Sequence, residues 1–406
     1  MKKKILFAGA YGIENAGDDL PLLVLCQNLK KSAPHLDFEF TALSRHPSAW
    51  EEKQYGVKML KNLEYESREE AEGKWFNGLN FGDDTERLNQ LKNEISEADL
   101  LILGAGNFFI DLTIDVFRGP IPKFALYVFL AEMYHTPVML YGISAGPLTT
   151  EWGQDLTCWI SESADVVTVR DQQSRSLLES LLKSPANIYV LPDSTLGAKS
   201  LSAVRLENLL ETENIQESSK IKVAVGLRDL SVVLPAHEAE MGWSHLAQFM
   251  NDERDHYEFL FIPQSTYHAD DDRATAAEFV KRLNPEVDYR IITHRYDPRE
   301  LIGFYQACQV TLAIRLHAAV FSAMVGTPVV AVNYLSKVSG FMNSIHQQQY
   351  IIELQDLISG FPGSVFKKAV ENRKEIAANL NQQMDLMKTD VDMYAKLALD
   401  LLVVDE

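Results

Sequence analysis

The chain has 406 residues, 46% of them apolar and 23% charged, with a formal net charge of −19. That length exceeds one ordinary core and predicts two domains of roughly 150–220 residues each. The acidic balance argues against nucleic acid or an anionic membrane surface as partner, while a small anionic substrate stays open if the few cations are gathered in one place.

Behind Met1 the apolar run is short and is broken by Glu14, Asp18 and Asp19, so it reads as a first strand rather than a signal peptide. No stretch approaches the ~18 apolar residues of a membrane span, and a cytoplasmic protein is expected. Strand "KILFAGA" (4–10) leads to helix "LPLLVLCQNLKKS" (20–32) and strand "FEFTALS" (38–44). The polar segment 45–97 reads as loop and exposed helix, a candidate substrate lid. Strand "ADLLILGAG" (98–106), helix "KFALYVFLAEMYH", strand "PVMLYGISAG", strand "ADVVTVRD", helix "SRSLLESLLKS" and strand "NIYVLPDS" follow. Buried runs alternating with amphipathic stretches predict parallel βα units with both sheet faces covered.

Residues 199–219 read as helix and linker, and the pattern then restarts. "IKVAVGLRD" (221–229), "YEFLFIPQ" (257–264), "YRIITHR" (289–295), "VTLAI" (310–314) and "PVVAVNY" (328–334) are strands, each followed by a helical stretch. The expected organisation is a Rossmann-like domain over 1–200, a second over 220–365 and a helical segment over 366–406 that crosses back. Two doubly wound α/β domains would face a cleft, with ligands at the carboxyl ends of the strands. Cys26, Cys158 and Cys308 lie wide apart in apolar contexts and read as buried thiols. No His/Asp/Glu cluster has metal-ligand spacing, so neither a metal nor a cofactor is expected.

Residues after the strands therefore carry the functional information. "GAYGIENAGDDL" offers a tight loop, with Asn15 and Asp18 able to cap the next helix or to face an anion or sugar. "GAGNFFID" offers Gly104 and Gly106 for close backbone approach, with Asn107 and Asp111 as polar ends. "GISAG" (142–146) has the spacing of a nucleophile elbow, but Pro147 interrupts the strand–turn–helix such an elbow needs. Arg170 and Asp171 read as a structural pair, and Asp193 as a helix cap. In the second half, Arg228, the Arg315 and His317 of "AIRLHAAV", and Lys337 all follow strands. A guanidinium and an imidazole between an apolar strand and an apolar helix are costly unless paired or liganded. With a helix N-terminus beside them, they make a candidate phosphate or carboxylate site.

The ordered set "NAGDD", "GAGNFFID", "GISAGPL", "VTVRDQQS", "PDS" and "IRLHAAVFSAMVGTPVVAVNYLSKVSGF" resembles the polysaccharide pyruvyltransferases over about residues 5–345. The resemblance implies a two-domain GT-B-like fold. It also implies transfer of the enolpyruvyl part of phosphoenolpyruvate onto two hydroxyls of a sugar as a cyclic ketal. The acceptor would be lipid-linked, nucleotide-linked or part of a glycan such as an exopolysaccharide. By that resemblance Arg315 and His317 are the Arg-x-His of the donor site, joined by Arg228 and the backbone of Leu316. The first-domain turn at Gly104–Asn107 is expected on the acceptor side, where it has fewer glycines than the family often shows. His317 would be the proton donor or base. A GT-B glycosyltransferase, a sugar-nucleotide-processing enzyme and a non-catalytic glycan-binding relative are the alternatives. Acceptor identity and oligomeric state are left open, a homo-oligomer being allowed.

Overall fold

The computed structural model describes residues 2–64, 85–111, 119–183 and 187–402. The chain divides into two compact units, one holding residues up to 13, 18–197 and from 388 on, the other 14–17 and 198–387.

In the first unit, strands β1 (Lys2–Tyr11), β2 (Asp37–Ser44), β3 (Lys58–Lys61), β4 (Leu100–Phe109), β5 (Val138–Ala145), β6 (Val166–Val169) and β7 (Ile188–Val190) form a parallel sheet in the order 3-2-1-4-5-6-7. The central strands are buried on both faces because helices cover each side. Ile5–Ala8 and Leu100–Leu103 are at most 2% exposed. In the second unit, β8 (Ile221–Gly226), β9 (Tyr257–Phe261), β10 (Tyr289–Ile291), β11 (Val310–Ala313), β12 (Val329–Asn333) and β13 (Ile351–Glu353) form a second parallel sheet, ordered 10-9-8-11-12-13. Both are doubly wound, as expected. Each strand order reverses direction once, between β1 and β4 and between β8 and β11, which is where such sheets open a crevice at their carboxyl ends.

Three details differ from the sequence reading. The edge strands β3 and β13 were not expected, being only four and three residues long in polar surroundings. β4 does not stop at a glycine turn but runs on through "GAGNFF" to Phe109. Of the 45–97 segment, expected as loop and exposed helix, the helices Ala49–Tyr55 and Thr85–Glu97 and the strand β3 are described, and its residues 65–84 lie outside the described residues. The C-terminal helix Arg373–Leu402 begins in the second unit and ends in the first, the expected return.

Candidate functional site

At the reversal point of the second sheet, β8 and β11 lie side by side, and the chain leaving β11 turns onto the end of β8. The amides of Ile314 and Arg315 both donate to the Gly226 carbonyl, at 2.8 and 3.2 Å. The helix Leu316–Met324 then packs down on β8. A Cβ on Gly226 would come within 2.3 Å of the Ala318 Cβ, so only glycine permits this approach. Arg315 is the N-cap of that helix and makes no side-chain cap. The Leu316 amide that opens the helix has no carbonyl a turn earlier in the helix to bond, as at any helix N-terminus.

Arg228 follows β8 by two residues and meets Tyr334, the residue after β12. Its Nη1 donates to the Tyr334 hydroxyl at 3.2 Å, and its guanidinium carbon lies 5.4 Å from the ring centroid. The Arg228 Nε is buried and has no hydrogen-bond partner among the described residues. Lys337 brings its Nζ to 5.8 Å from the same ring. Two cations thus share one aromatic ring. Among the described residues no carboxylate pairs with either, so an anion entering here would be met by uncompensated charge. Tyr334 was not singled out from the sequence. The signal that could have found it is its place directly after a buried strand, three residues before Lys337.

Arg315 is paired within the protein. It is 7% exposed, and its Nε and Nη2 donate to Asp272 Oδ1 at 3.0 and 2.6 Å. Nη2 also lies 2.8 Å from Asp270. Two carboxylates neutralise it, so it adds little net charge toward an incoming anion, and only Nη1 stands outside these bonds. Asp272 is 3% exposed and its Oδ2 accepts the amides of Gln264 and Ser265 at 2.8 and 3.0 Å. Burial pushes the Asp272 carboxyl up against the pull of Arg315, whereas the carboxylates, outweighing burial, raise the Arg315 guanidinium still further above neutral pH. Both members of the pair are charged, because four donors converge on the Asp272 carboxylate.

The same loop holds the turn after β1. Residues 14–17 belong to the second unit. Ala16 N donates to Gln264 O at 2.8 Å, Thr266 N donates to Glu14 O at 3.0 Å, and Asn15 bridges to Ser265. The Thr266 hydroxyl and Arg295 both hold the Glu14 carboxylate, at 2.8 and 3.1 Å. Asn15 Oδ1 accepts the Gly17 amide at 3.0 Å, which holds the loop closed onto the helix start. Gly17 lies directly against the imidazole of half-buried His317. His317, Arg315 and Asn15 are therefore parts of one connected cluster.

The remaining expected residues lie in the first unit. Asp18 sits in the first turn of the helix Ala16–Ser32, where a carboxylate suits the dipole. Gly104 and Gly106 have φ of 141° and 147°. A Cβ on Gly104 would stand 2.0 Å from the Tyr141 carbonyl of β5, so its bareness serves strand contact rather than ligand approach. Asn107, paired in register with Ser144, is exposed. Ser144 lies on β5 between Arg170 Nε (2.5 Å) and Asp171 (3.3 Å), and the next helix begins only at Glu151, so there is no nucleophile elbow. Arg170 pairs with Asp193 at 2.9 Å rather than with Asp171, which caps its own helix instead.

Asp111 is occupied by the fold. It accepts from the amides and hydroxyls of both Thr149 and Thr150 at 2.7–3.1 Å, anchoring the start of the helix Glu151–Ser163. Burial raises its carboxyl, but the bonds from Thr150 and Thr149 more than offset that and hold it below the usual carboxylate range. With the folded value below the unfolded one, the stabilisation is complete above the ordinary range and disappears as pH falls through the lowered value. Asp111→Asn is expected to cost about 1–3 kcal/mol near neutral pH and to flatten the acid limb of the melting profile. An unchanged acid limb would contradict this.

All three cysteines are buried and none is in a disulfide. Burial pushes the Cys308 thiol up to about 12, far from a nucleophile's range. Among the described residues no group of three His, Cys, Asp or Glu is arranged to hold a metal, and no helix is long and apolar enough to cross a membrane.

A family model described as polysaccharide pyruvyl transferase matches residues 15–336. Amylovoran biosynthesis protein AmsJ of Erwinia amylovora is 24% identical over 308 residues, covering 72% of this chain and 70% of AmsJ. Among solved structures, Anabaena Alr3699/HepE in complex with UDP and glucose superposes with a TM-score of 0.60 at 13% identity, over 99% of this chain and 100% of that one. A glycosyltransferase from Rickettsia africae does so with a TM-score of 0.60 at 11% identity, over 100% of both chains. At such identities the likeness establishes the shared GT-B fold.

Proposed function

The chain belongs to the polysaccharide pyruvyl transferase family, and from that premise we propose that it moves the pyruvyl group of phosphoenolpyruvate onto two hydroxyls of one sugar, forming a cyclic ketal. As a family member it is a transferase of polysaccharide biosynthesis; the donor, the ketal and the residue roles are this proposal. AmsJ, named for amylovoran biosynthesis, makes an exopolysaccharide or its precursor the first acceptor to try.

The observation that carries the reading is Arg228. Its Nε is buried without a partner, and it shares the Tyr334 ring with Lys337, next to the helix start that bears His317. Phosphoenolpyruvate is a small trianion. Arg228 and Lys337 would take its carboxylate and phosphate, with the Leu316 amide and the helix dipole adding donors. Arg315, already neutralised, would contribute a single N–H from Nη1 while holding the cluster together. His317 would deliver a proton to the methylene carbon, which raises positive charge on the adjacent carbon. One sugar hydroxyl attacks that carbon, its proton passing to the phosphate, which leaves with the C–O bond electrons, and the second hydroxyl closes the ring, its proton returning to the base. A placed acid or base of this kind contributes about 10²–10⁴ in rate.

The test is phosphate release from phosphoenolpyruvate over a panel of glycans, lipid-linked sugars and nucleotide sugars, with detection of an acid-labile ketal. Turnover of a sugar nucleotide with no consumption of phosphoenolpyruvate would sink the reading in favour of a glycosyltransferase. Arg228→Gln removes a charged anchor, and the Michaelis constant for phosphoenolpyruvate is expected to rise by about 10–100-fold. A constant within error of wild type would remove Arg228 from the donor site.

A further inference from the structure

We propose that Gly17 is a positioning residue for His317, and that its missing side chain is what seats the imidazole. This rests on the reading of His317 as the acid or base. A Cβ added to Gly17 would stand 1.9 Å from His317 Nδ1 and 2.3 Å from both Cε1 and Cγ. Real Cβ atoms never come that close, so the ring and the glycine cannot both stay in place once a methyl is added.

Backbone conformation does not explain the glycine. Gly17 is not among the residues with positive φ, and it lies in the first turn of the helix Ala16–Ser32. Alanine would suit that backbone better, being the stronger helix former. What glycine supplies here is room for the imidazole.

The turn cannot retreat to make that room. Three of its four residues are tied to the loop after β9, through Ala16 to Gln264, Asn15 to Ser265 and Thr266 to Glu14. Glu14 is held besides by the Thr266 hydroxyl and Arg295. That loop is itself fixed by Asp272, whose other oxygen binds Arg315, two residues before His317. On its own helix the imidazole has the Phe321 ring at 6.1 Å. One buried carboxylate therefore anchors both the helix start carrying His317 and the turn against which His317 rests. A methyl at position 17 displaces the imidazole, because the turn that carries it is braced.

The experiment uses the full chain and phosphoenolpyruvate-dependent phosphate release. Gly17→Ala is expected to lower kcat by about 10²-fold, the effect of misplacing a reacting group by an ångström. The donor Michaelis constant and the melting temperature should stay near wild type, and the pH profile of kcat should shift. In a His317→Asn background the same change should do nothing further. If His317→Asn is itself fully active, the reading of His317 fails. If His317→Asn is inactive and Gly17→Ala keeps wild-type kcat and pH profile, this inference is overturned. Should Gly17→Ala not fold, Thr266→Val carries the test by loosening the turn from Glu14. Lower kcat at an unchanged Michaelis constant supports the inference, and wild-type kcat overturns it.

Discussion

His317→Asn is expected to lower kcat by about 10²–10⁴-fold while leaving the donor's Michaelis constant and the melting temperature close to wild type. The imidazole is half-buried at the head of the helix Leu316–Met324, so an amide of similar size leaves no large cavity. The anion-binding groups, Arg228 and Lys337 around Tyr334, are separate side chains and are not disturbed. What Asn cannot do is exchange a proton near neutral pH. A variant with wild-type turnover would show that the proton comes from elsewhere. A large rise in the Michaelis constant at unchanged turnover would make His317 a donor ligand instead.

Arg315→Met is expected to act mainly on stability, by about 3–5 kcal/mol, because it strands a buried carboxylate. Asp272 would keep the amides of Gln264 and Ser265 but lose both bonds to its cation. Chemical denaturation of the full chain reads this directly. Asp272→Leu added to Arg315→Met should recover part of the loss, since removing both charges is far cheaper than removing one. Arg315→Lys should fall between, as an ammonium cannot span Asp272 and Asp270 with a planar fork. If Arg315→Met melts like wild type and only the donor constant rises, Arg315 holds the donor and the carboxylates are incidental.

The two changes separate residues that the sequence presents as a pair. "RLH" places Arg315 and His317 two residues apart, and from spacing alone both look like ligands. The partner that distinguishes them, Asp272, is 43 residues earlier, inside the acid run "DDD" at 270–272. Nothing in that run tells which acid turns inward. Asp271 instead caps its helix and pairs with Arg273, and only the fold of the loop after β9 assigns the roles. The glycines behave alike. "NAGDD" and "GAGN" read as a tight loop and a turn open to backbone approach, yet Gly17 is bare for His317 and Gly104 for the Tyr141 carbonyl. Arg170 shows the opposite failure, since its sequence neighbour Asp171 is not its partner and Asp193 is.

The sequence by itself determined the two doubly wound sheets, because runs of buried strand alternating with amphipathic helix are local patterns and each run carries its own signal. It also determined that cations and a histidine follow β8, β11 and β12, since strand ends can be counted along the chain. Only the tertiary structure decided which of those charges stand uncompensated. Arg228 keeps an unpartnered Nε and Arg315 does not. It also decided that residues 14–17 join the second unit and brace His317. The physical reason is that pairing energy and close packing depend on distances across the fold, which neighbours in sequence do not encode.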